Sequence, residues 1–433
     1  MLAGDNTGGA YSATPMRTLS VFEYGQVQPL TSTEKNLLDE LRGPRNERLF
    51  EVGWRETWAT SFVGVVQLPQ TTLQVLPKMY RHEDAKEREA TANLLFLLSY
   101  TRKLDVTEPE ISRLTEQRAP LSEILFWVFA HRLWDAVHSE ILRGYVTIED
   151  RLDVLKGRWL VAAQAGRPDG WRRDRFDVAY DEFTEDNLPN RLFKATVHRL
   201  SRWSQRTDTR RHLTQLRAVF ADVADVTPQP HDFDQAAQWM LRHRRRANEG
   251  HLYRPLLKLA QMFWTGTGPQ PSPGRTETFA FLFDMNQLFE EFIAEFIRRD
   301  LRNVWQSRGW TFHAQSGTRH LIDNNRFRLV PDIRFDTATG ETALIVDTKY
   351  KLLDPTAAKA GIAEADAYQM FAYKERYRCP RVILLYPQSS ETIARDFKTD
   401  SDHWLEVRTV DLRRELRKEK RGLCTELEAI LTR

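Results

Sequence analysis

Three side chains with chemical capability close the strand-like runs of RLVPDIRFDTATGETALIVDTKYK, residues 328–351: Asp332, Asp347 and Lys349. In a strand, residues two apart face the same way, so Asp347 and Lys349 project together while Val346, Thr348 and Tyr350 take the other face. The run TALIV before Asp347 is continuously aliphatic and β-branched, the pattern of a central strand covered on both sides. Asp332 ends the apolar part of RFRLVPD. A hairpin through DTATGET would bring Asp332 and Asp347 to the same sheet edge. Two carboxylates converging on one point repel, and burial sharpens the conflict. A divalent cation relieves it. Mg²⁺ takes oxygen ligands and keeps several waters, which suits two carboxylates and a phosphate. A lysine alongside would orient a metal-bound water and stabilise charge building on that phosphate. The chemistry indicated is phosphodiester hydrolysis. The plainer alternative is a solvated ion pair at a strand end. Acid-x-Lys also occurs at Asp84–Lys86 and Asp396–Lys398, but neither follows a comparable aliphatic run.

Two helical segments supply further polar candidates. FLFDMNQLFEEFIAEF buries a stripe of Phe281, Leu282, Met285, Leu288, Phe289, Phe292 and Phe296, with Glu290 and Glu291 beside it. Either glutamate has the reach to meet the sheet edge, although surface exposure is the usual fate of that residue. EADAYQMFAYKERY carries Gln369 between apolar neighbours, placed to touch the site or a nucleic-acid backbone, or simply to lie on the helix surface.

The elements that must hold these residues are legible along the chain. Residues 1–16 read as a flexible small-residue tail. Residues 17–110 alternate short β-rich runs (RTLSVFEYG, WATSFVGVVQLP, TTLQVLPK) with the helix STEKNLLDELRG, a small β domain. Residues 111–264 read as helical, with Pro120 at one helix start and Gly144 at its end. Residues 265–277, TGTGPQPSPGRTE, form a linker by composition. Residues 278–433 then follow an α-β-β-β-α-β order, beginning with a long helix from Phe279 to Val304 and implying a mixed central sheet with flanking helices. The fold class expected is α+β multidomain.

Composition sets bounds. Of 433 residues, 41% are hydrophobic and 28% charged, an ordinary globular balance. A net charge of +3 demands no polyanionic partner, so any basic surface is local, as in RHRRR (242–246) and RELRKEKR (414–421). Two distant cysteines without metal-like spacing suit a reducing compartment. The start lacks a signal peptide and no apolar run is long enough for a bilayer, so a cytoplasmic location with no membrane partner is expected. No G-x-x-x-x-G-K-[ST] occurs, so the chain itself should bind no nucleotide.

With these motifs in view, the C-terminal third resembles a PD-(D/E)xK nuclease domain of the restriction-endonuclease-like α/β type. The ordered set FVGVVQLPQTTLQVLPK, DNLPNRLFKATVHRL, FLFDMNQLFEEFIAEF, LVPDIRF, IVDTKYK and DAYQMFAY resembles the McrC family, the nuclease subunits of McrBC modification-dependent restriction systems. That resemblance implies a Mg²⁺-dependent DNA endonuclease, with Mn²⁺ substituting. It implies double-stranded, methylated DNA as substrate. Its partner would be an McrB-like AAA+ GTPase hexamer, engaged through the 17–110 domain and stimulated by that contact. Residue by residue, Asp332, Asp347 and Glu290 match the metal-binding acids, Lys349 the catalytic lysine and Gln369 the glutamine of the YQ helix. Thr348 departs from the small residue common inside the D-x-K triplet. Two other readings are a stand-alone RecB-like repair nuclease and a non-catalytic scaffold of a AAA+ motor. The intact Asp332, Asp347 and Lys349 weigh against the second.

Overall fold

The computed structural model describes residues 17–43, 45–80, 87–101, 119–242, 249–265, 279–322, 326–357, 359–389, 391–398 and 404–433. The expected tail, nearly all of the 265–277 linker and the basic run beyond Arg242 lie outside these described residues.

The N-terminal strands are β1 (Arg17–Phe22), β2 (Phe50–Val52), β3 (Thr57–Ala59), β4 (Phe62–Gln67) and β5 (Thr71–Leu76). The helix Ser32–Glu40 enters through a capping box: Thr31 accepts from the Glu34 N–H while the Glu34 carboxylate accepts from the Thr31 N–H. β4 and β5 are buried along their whole length, including the polar Gln67, Thr71, Thr72 and Gln74, of which Thr72 donates to Gln67 at 2.9 Å.

The chain divides into two compact units. One contains the chain up to Leu121 together with the chain from Thr267 onward; the other is Ser122–Gly266. The second unit is not wholly helical. Between the helices Leu121–Ser139 and Leu188–Trp203 it inserts an antiparallel sheet of β6 (Gly144–Leu152), β7 (Arg158–Trp159) and β8 (Phe176–Thr184), ordered β6-β8-β7. YVTIEDRL alternates as a strand should, but its face is too exposed to carry a clear apolar signal. The helix Leu188–Trp203 is capped by Asn187 with Pro189 in its first turn, and buries Leu192, Phe193, Val197 and Leu200.

In the first unit, β9 (Phe279–Asp284) corrects the expectation of one helix from Phe279. FAFLFD is a strand that pairs antiparallel with β4, giving the sheet order β1-β5-β4-β9. Gly64 permits this approach: a Cβ there would stand 2.0 Å from the Phe281 carbonyl oxygen. The regions 17–110 and 278–433, expected as separate domains, therefore share one unit, because a strand from the second completes the sheet of the first. The helix Met285–Asp300 starts only after β9, with Asp284 as N-cap accepting from the Asn286 N–H. It buries Leu288, Phe289, Phe292, Phe296 and Ile297, and Phe292 meets Phe96 at 6.0 Å between ring centroids.

The remaining strands are β10 (Thr311–Ala314), β11 (Arg319–Ile322), β12 (Arg326–Leu329), β13 (Ile333–Asp336), β14 (Thr342–Thr348), β15 (Arg381–Pro387), β16 (Ala394–Lys398) and β17 (Trp404–Val410). Six of them form the mixed sheet β10-β13-β14-β15-β17-β16. β13 and β14 are an antiparallel hairpin, and β14, β15 and β17 run parallel. The helix Glu364–Tyr377 packs Met370, Tyr373 and Tyr377 onto this sheet. Of the 414–421 cluster, Arg414 pairs with Glu426, Lys418 with Glu415 at 2.9 Å and Lys420 with Asp300 at 2.7 Å, so these charges are already engaged.

Candidate active site

The hairpin register sets Ile333 opposite Val346, which places Asp332, at the entry of β13, next to Asp347, at the exit of the antiparallel β14. Asp347 is 1% exposed and Asp332 8%. Pairing with β13 on one side and β15 on the other makes β14 an interior strand, which is why its acid is so deeply placed.

Asp332 is held by defined donors. Its Oδ2 accepts from the Thr348 N–H at 2.7 Å and the Thr348 Oγ1 hydroxyl at 2.8 Å, and its Oδ1 from Gln315 Nε2 at 3.2 Å. Thr348 was expected to turn away from the acids; at the strand end its hydroxyl instead reaches Asp332. Gln315 and Thr348 are the positioning residues that sequence reasoning missed. Gln315 carries no motif, and Thr348 was read only as a filler in D-x-K.

Asp347 is the opposite case. Its Oδ1 is buried without a hydrogen-bond partner among the described residues. Its Oδ2 has the Lys349 ammonium 2.7 Å away as an ion pair, but no well-directed hydrogen bond. Burial, then repulsion from Asp332, pushes the Asp347 carboxyl up to about 7, against the pull of Lys349. Burial alone would lower the Lys349 pKa, but the Asp347 carboxylate more than offsets it, and the shift is upward. Lys349 is therefore an ammonium at neutral pH, with its side chain 23% exposed and free to meet an arriving group. Its own N–H is fixed by the Leu385 carbonyl at 2.9 Å.

Glu290 comes from the helix Met285–Asp300, half-buried. Burial, then the charges of Asp332 and Asp347, push its carboxyl up to about 8. Three acids thus share one electrostatic neighbourhood. Gln369 donates from Nε2 to the Tyr373 hydroxyl at 2.8 Å, and that hydroxyl donates to the Val330 carbonyl at 2.9 Å, two residues before Asp332. Gln369 is thereby linked to the Pro-Asp segment through Tyr373 and has no direct bond to either acid.

These residues fit a hard divalent cation. An orphaned buried carboxylate oxygen and mutually repelling acids are what a cation would satisfy. Among the described residues, no three His, Cys, Asp or Glu side chains are gathered closely enough to hold a metal unaided. Two carboxylates with water and a phosphate oxygen would complete a Mg²⁺ shell in which Glu290 acts from its edge. Among the described residues, no helix is long and apolar enough to cross a membrane.

The chain is similar to known proteins over most of its length. No curated protein matches it. One solved relative is a chain of the refined half-complex from the tetradecameric assembly of Thermococcus gammatolerans McrB AAA+ hexamers with bound McrC. It is 18% identical with a TM-score of 0.69, covering 95% of this chain and 100% of that one. A second, from the cryo-EM structure of the Thermococcus gammatolerans McrBC complex, is 22% identical with a TM-score of 0.48, covering 66% and 88%. The family described as McrBC 5-methylcytosine restriction system component matches residues 58–387, more than half of the chain, and the protein belongs to that family.

Proposed function

We propose that this chain is the DNA-cleaving subunit of an McrBC-type restriction complex, a divalent-metal-dependent endonuclease of the PD-(D/E)xK type driven by an McrB-like AAA+ GTPase. The observation that carries the reading is Asp347: a carboxylate buried at a strand exit, one oxygen unpartnered, beside Asp332 and 2.7 Å from an ammonium. The combination of an empty buried acceptor with a second buried acid and an ammonium alongside is what distinguishes Asp347 from an ordinary ion pair.

Asp332 and Asp347, with Glu290 at the edge, would hold Mg²⁺ or Mn²⁺. The bound ion would supply Lewis-acid activation of the phosphate and of a water. The chain's own residues do the rest. Thr348 and Gln315 orient Asp332. Lys349 presents an ammonium to the charge that builds on the scissile phosphate. The Gln369–Tyr373–Val330 chain of hydrogen bonds steadies the backbone carrying Asp332. The protonation of Asp347 and Glu290 near neutrality is the state without a cation, and binding one would displace those protons.

The partner follows from family membership and from the Thermococcus assembly, in which McrC is bound to McrB hexamers. The 17–110 region is the proposed docking part. The second unit offers additional chemistry for it: Tyr145, Leu155, Trp159, Trp171 and Phe183 are exposed on or beside its sheet. Stimulation of partner GTP hydrolysis belongs to that contact.

The test is cleavage of methylated and unmethylated plasmid by the chain with Mg²⁺, alone and with its motor and GTP. Cutting only in the assembled, GTP-fuelled mixture, and none in EDTA, is expected. Cutting by the isolated chain would favour the RecB-like alternative. No cutting anywhere, with GTP hydrolysis still stimulated, would favour the scaffold.

A further inference from the structure

We propose that the β11–β12 hairpin is a grip for duplex DNA beside the cutting site, an inference that rests on the nuclease reading above and assigns the DNA-facing surface. The hairpin pairs Arg319 with Leu329, His320 with Arg328 and Ile322 with Arg326. Across residues 319–329 the sequence RHLIDNNRFRL carries three arginines against one acid, Asp323, which lies outside the described residues. Arg319 and Arg326 have no acidic partner among the described residues. Leu321, Ile322 and Phe327 are exposed, Phe327 by 68%, and its backbone sits at φ 55°, in the left-handed region that a bulky residue rarely occupies. Unpaired arginines interleaved with exposed apolar and aromatic groups suit a polyanion with apolar sugar and base surfaces.

The base of the hairpin is fixed. The Tyr377 hydroxyl donates to the Leu329 carbonyl at 2.9 Å and accepts from the Thr318 and Arg319 N–H groups at 3.0 and 3.3 Å. Arg376 Nε donates to the His320 carbonyl at 2.7 Å, and Arg328 grips the Gly317 carbonyl through Nη2 at 2.8 Å. A side chain at Gly317 would strike the Leu329 carbonyl oxygen at 2.3 Å, so the two legs close tightly there. An arm anchored at its root that exposes Leu321, Ile322 and Phe327 is built to meet something outside the chain.

Position selects DNA as the occupant. β12 runs through Val330 and Pro331 straight into Asp332, so Arg326 is six residues from a metal-site acid. Fully extended chain spans at most about 20 Å over that distance, which is within about six phosphates of the bond being cut along one strand. The helix carrying Gln369 presents Tyr368 and Phe371 to solvent, exposed by 70% and 53%, and contacts β11. The arginines would hold phosphates flanking the scissile bond, with Phe327 against sugar or base edges, keeping the duplex in register with Lys349.

The test uses the full chain assembled with its motor and nucleotide, with Ca²⁺ in place of Mg²⁺ so that labelled duplex is held but not cut. Phe327→p-benzoylphenylalanine should photocrosslink to DNA. A crosslink to a second copy of this chain instead, or no DNA adduct, overturns the proposal. In Mg²⁺, the double variant Arg319→Ala/Arg326→Ala should lower cleavage kcat/KM about tenfold and reduce the slope of log rate against log salt by about two, with partner GTP hydrolysis unchanged. An unchanged slope overturns the proposal. If the assembled wild type fails to cut, the nuclease reading falls, while the crosslink still reports separately on the hairpin.

Discussion

Asp347→Asn is expected to stabilise the metal-free protein while destroying its response to Mg²⁺. The folded Asp347 carboxyl stands at about 7 against an ordinary value of 3.8, so ionising it in place costs at most about 4 kcal/mol relative to the unfolded chain. The sign follows from the direction of the shift. An acid with a raised folded pKa contributes stability that is fully present below its unfolded value and lost as pH rises through the folded one. The penalty is therefore complete at pH 8 and absent below about pH 4. Asparagine removes the charge but leaves Lys349 without its partner. That ammonium reaches solvent, so the offset is partial, and a net gain of about 1–2 kcal/mol remains, a rise in Tm of a few degrees for a unit of this size. The wild type gains the reverse benefit from the ion, about 1.4 kcal/mol when Mg²⁺ is at roughly ten times its Kd. Thermal melts at pH 8 in EDTA and then in Mg²⁺ read both effects. A variant that melts lower than wild type in EDTA, or gains as much from Mg²⁺, would refute the idea that burial and repulsion reserve Asp347 for a cation.

Other expectations follow from the same geometry. Lys349→Ala should lower cleavage by about 10²–10³ with Mn²⁺ affinity, followed by calorimetry, largely retained; a lost metal site would show the ammonium to be structural. Glu23 is fully buried, accepts from the Lys78 N–H and the Tyr350 hydroxyl, both at 2.9 Å, and is pushed up to about 7 by burial, against the pull of Lys78. In Mg²⁺, wild-type stability should then fall as pH rises from 5 to 8, by up to about 3 kcal/mol from this group, and Glu23→Gln should flatten that part of the curve in urea titrations. An unchanged profile would remove Glu23 as the cause. Leu155→Ala with Trp171→Ala should weaken motor stimulation without altering the melt of the isolated chain, and full stimulation would exclude that face from partner docking.

Much of the site could be read from local pattern because its three best residues lie on one hairpin. TALIV before Asp347 and the turn DTATGET locate β14 and β13 without knowledge of the rest of the fold. What stayed hidden depends on distant pairing. FAFLFD reads equally well as helix or buried strand until β4, some 215 residues earlier in the chain, is known to accept it across Gly64. The same long-range join brings Glu23 and Lys78 to Tyr350, the residue after Lys349: Lys78 Nζ donates to the Tyr350 carbonyl at 3.0 Å. β6 and β16 escaped because a largely exposed strand carries little apolar contrast. The part of Thr348 and Gln315 in holding Asp332 was out of reach for a different reason: neither residue type carries a chemical signature, and each matters only through where the backbone delivers it.

The most direct measurement is plasmid cleavage and GTP hydrolysis read in one tube by the assembled complex in Mg²⁺, with wild type and Asp347→Ala compared. Cleavage abolished by the substitution while GTP hydrolysis runs at the wild-type rate is the predicted result. Persistent cutting by the variant would contradict the account at its centre, because the bond would then be broken without the carboxylate around which the whole site is arranged.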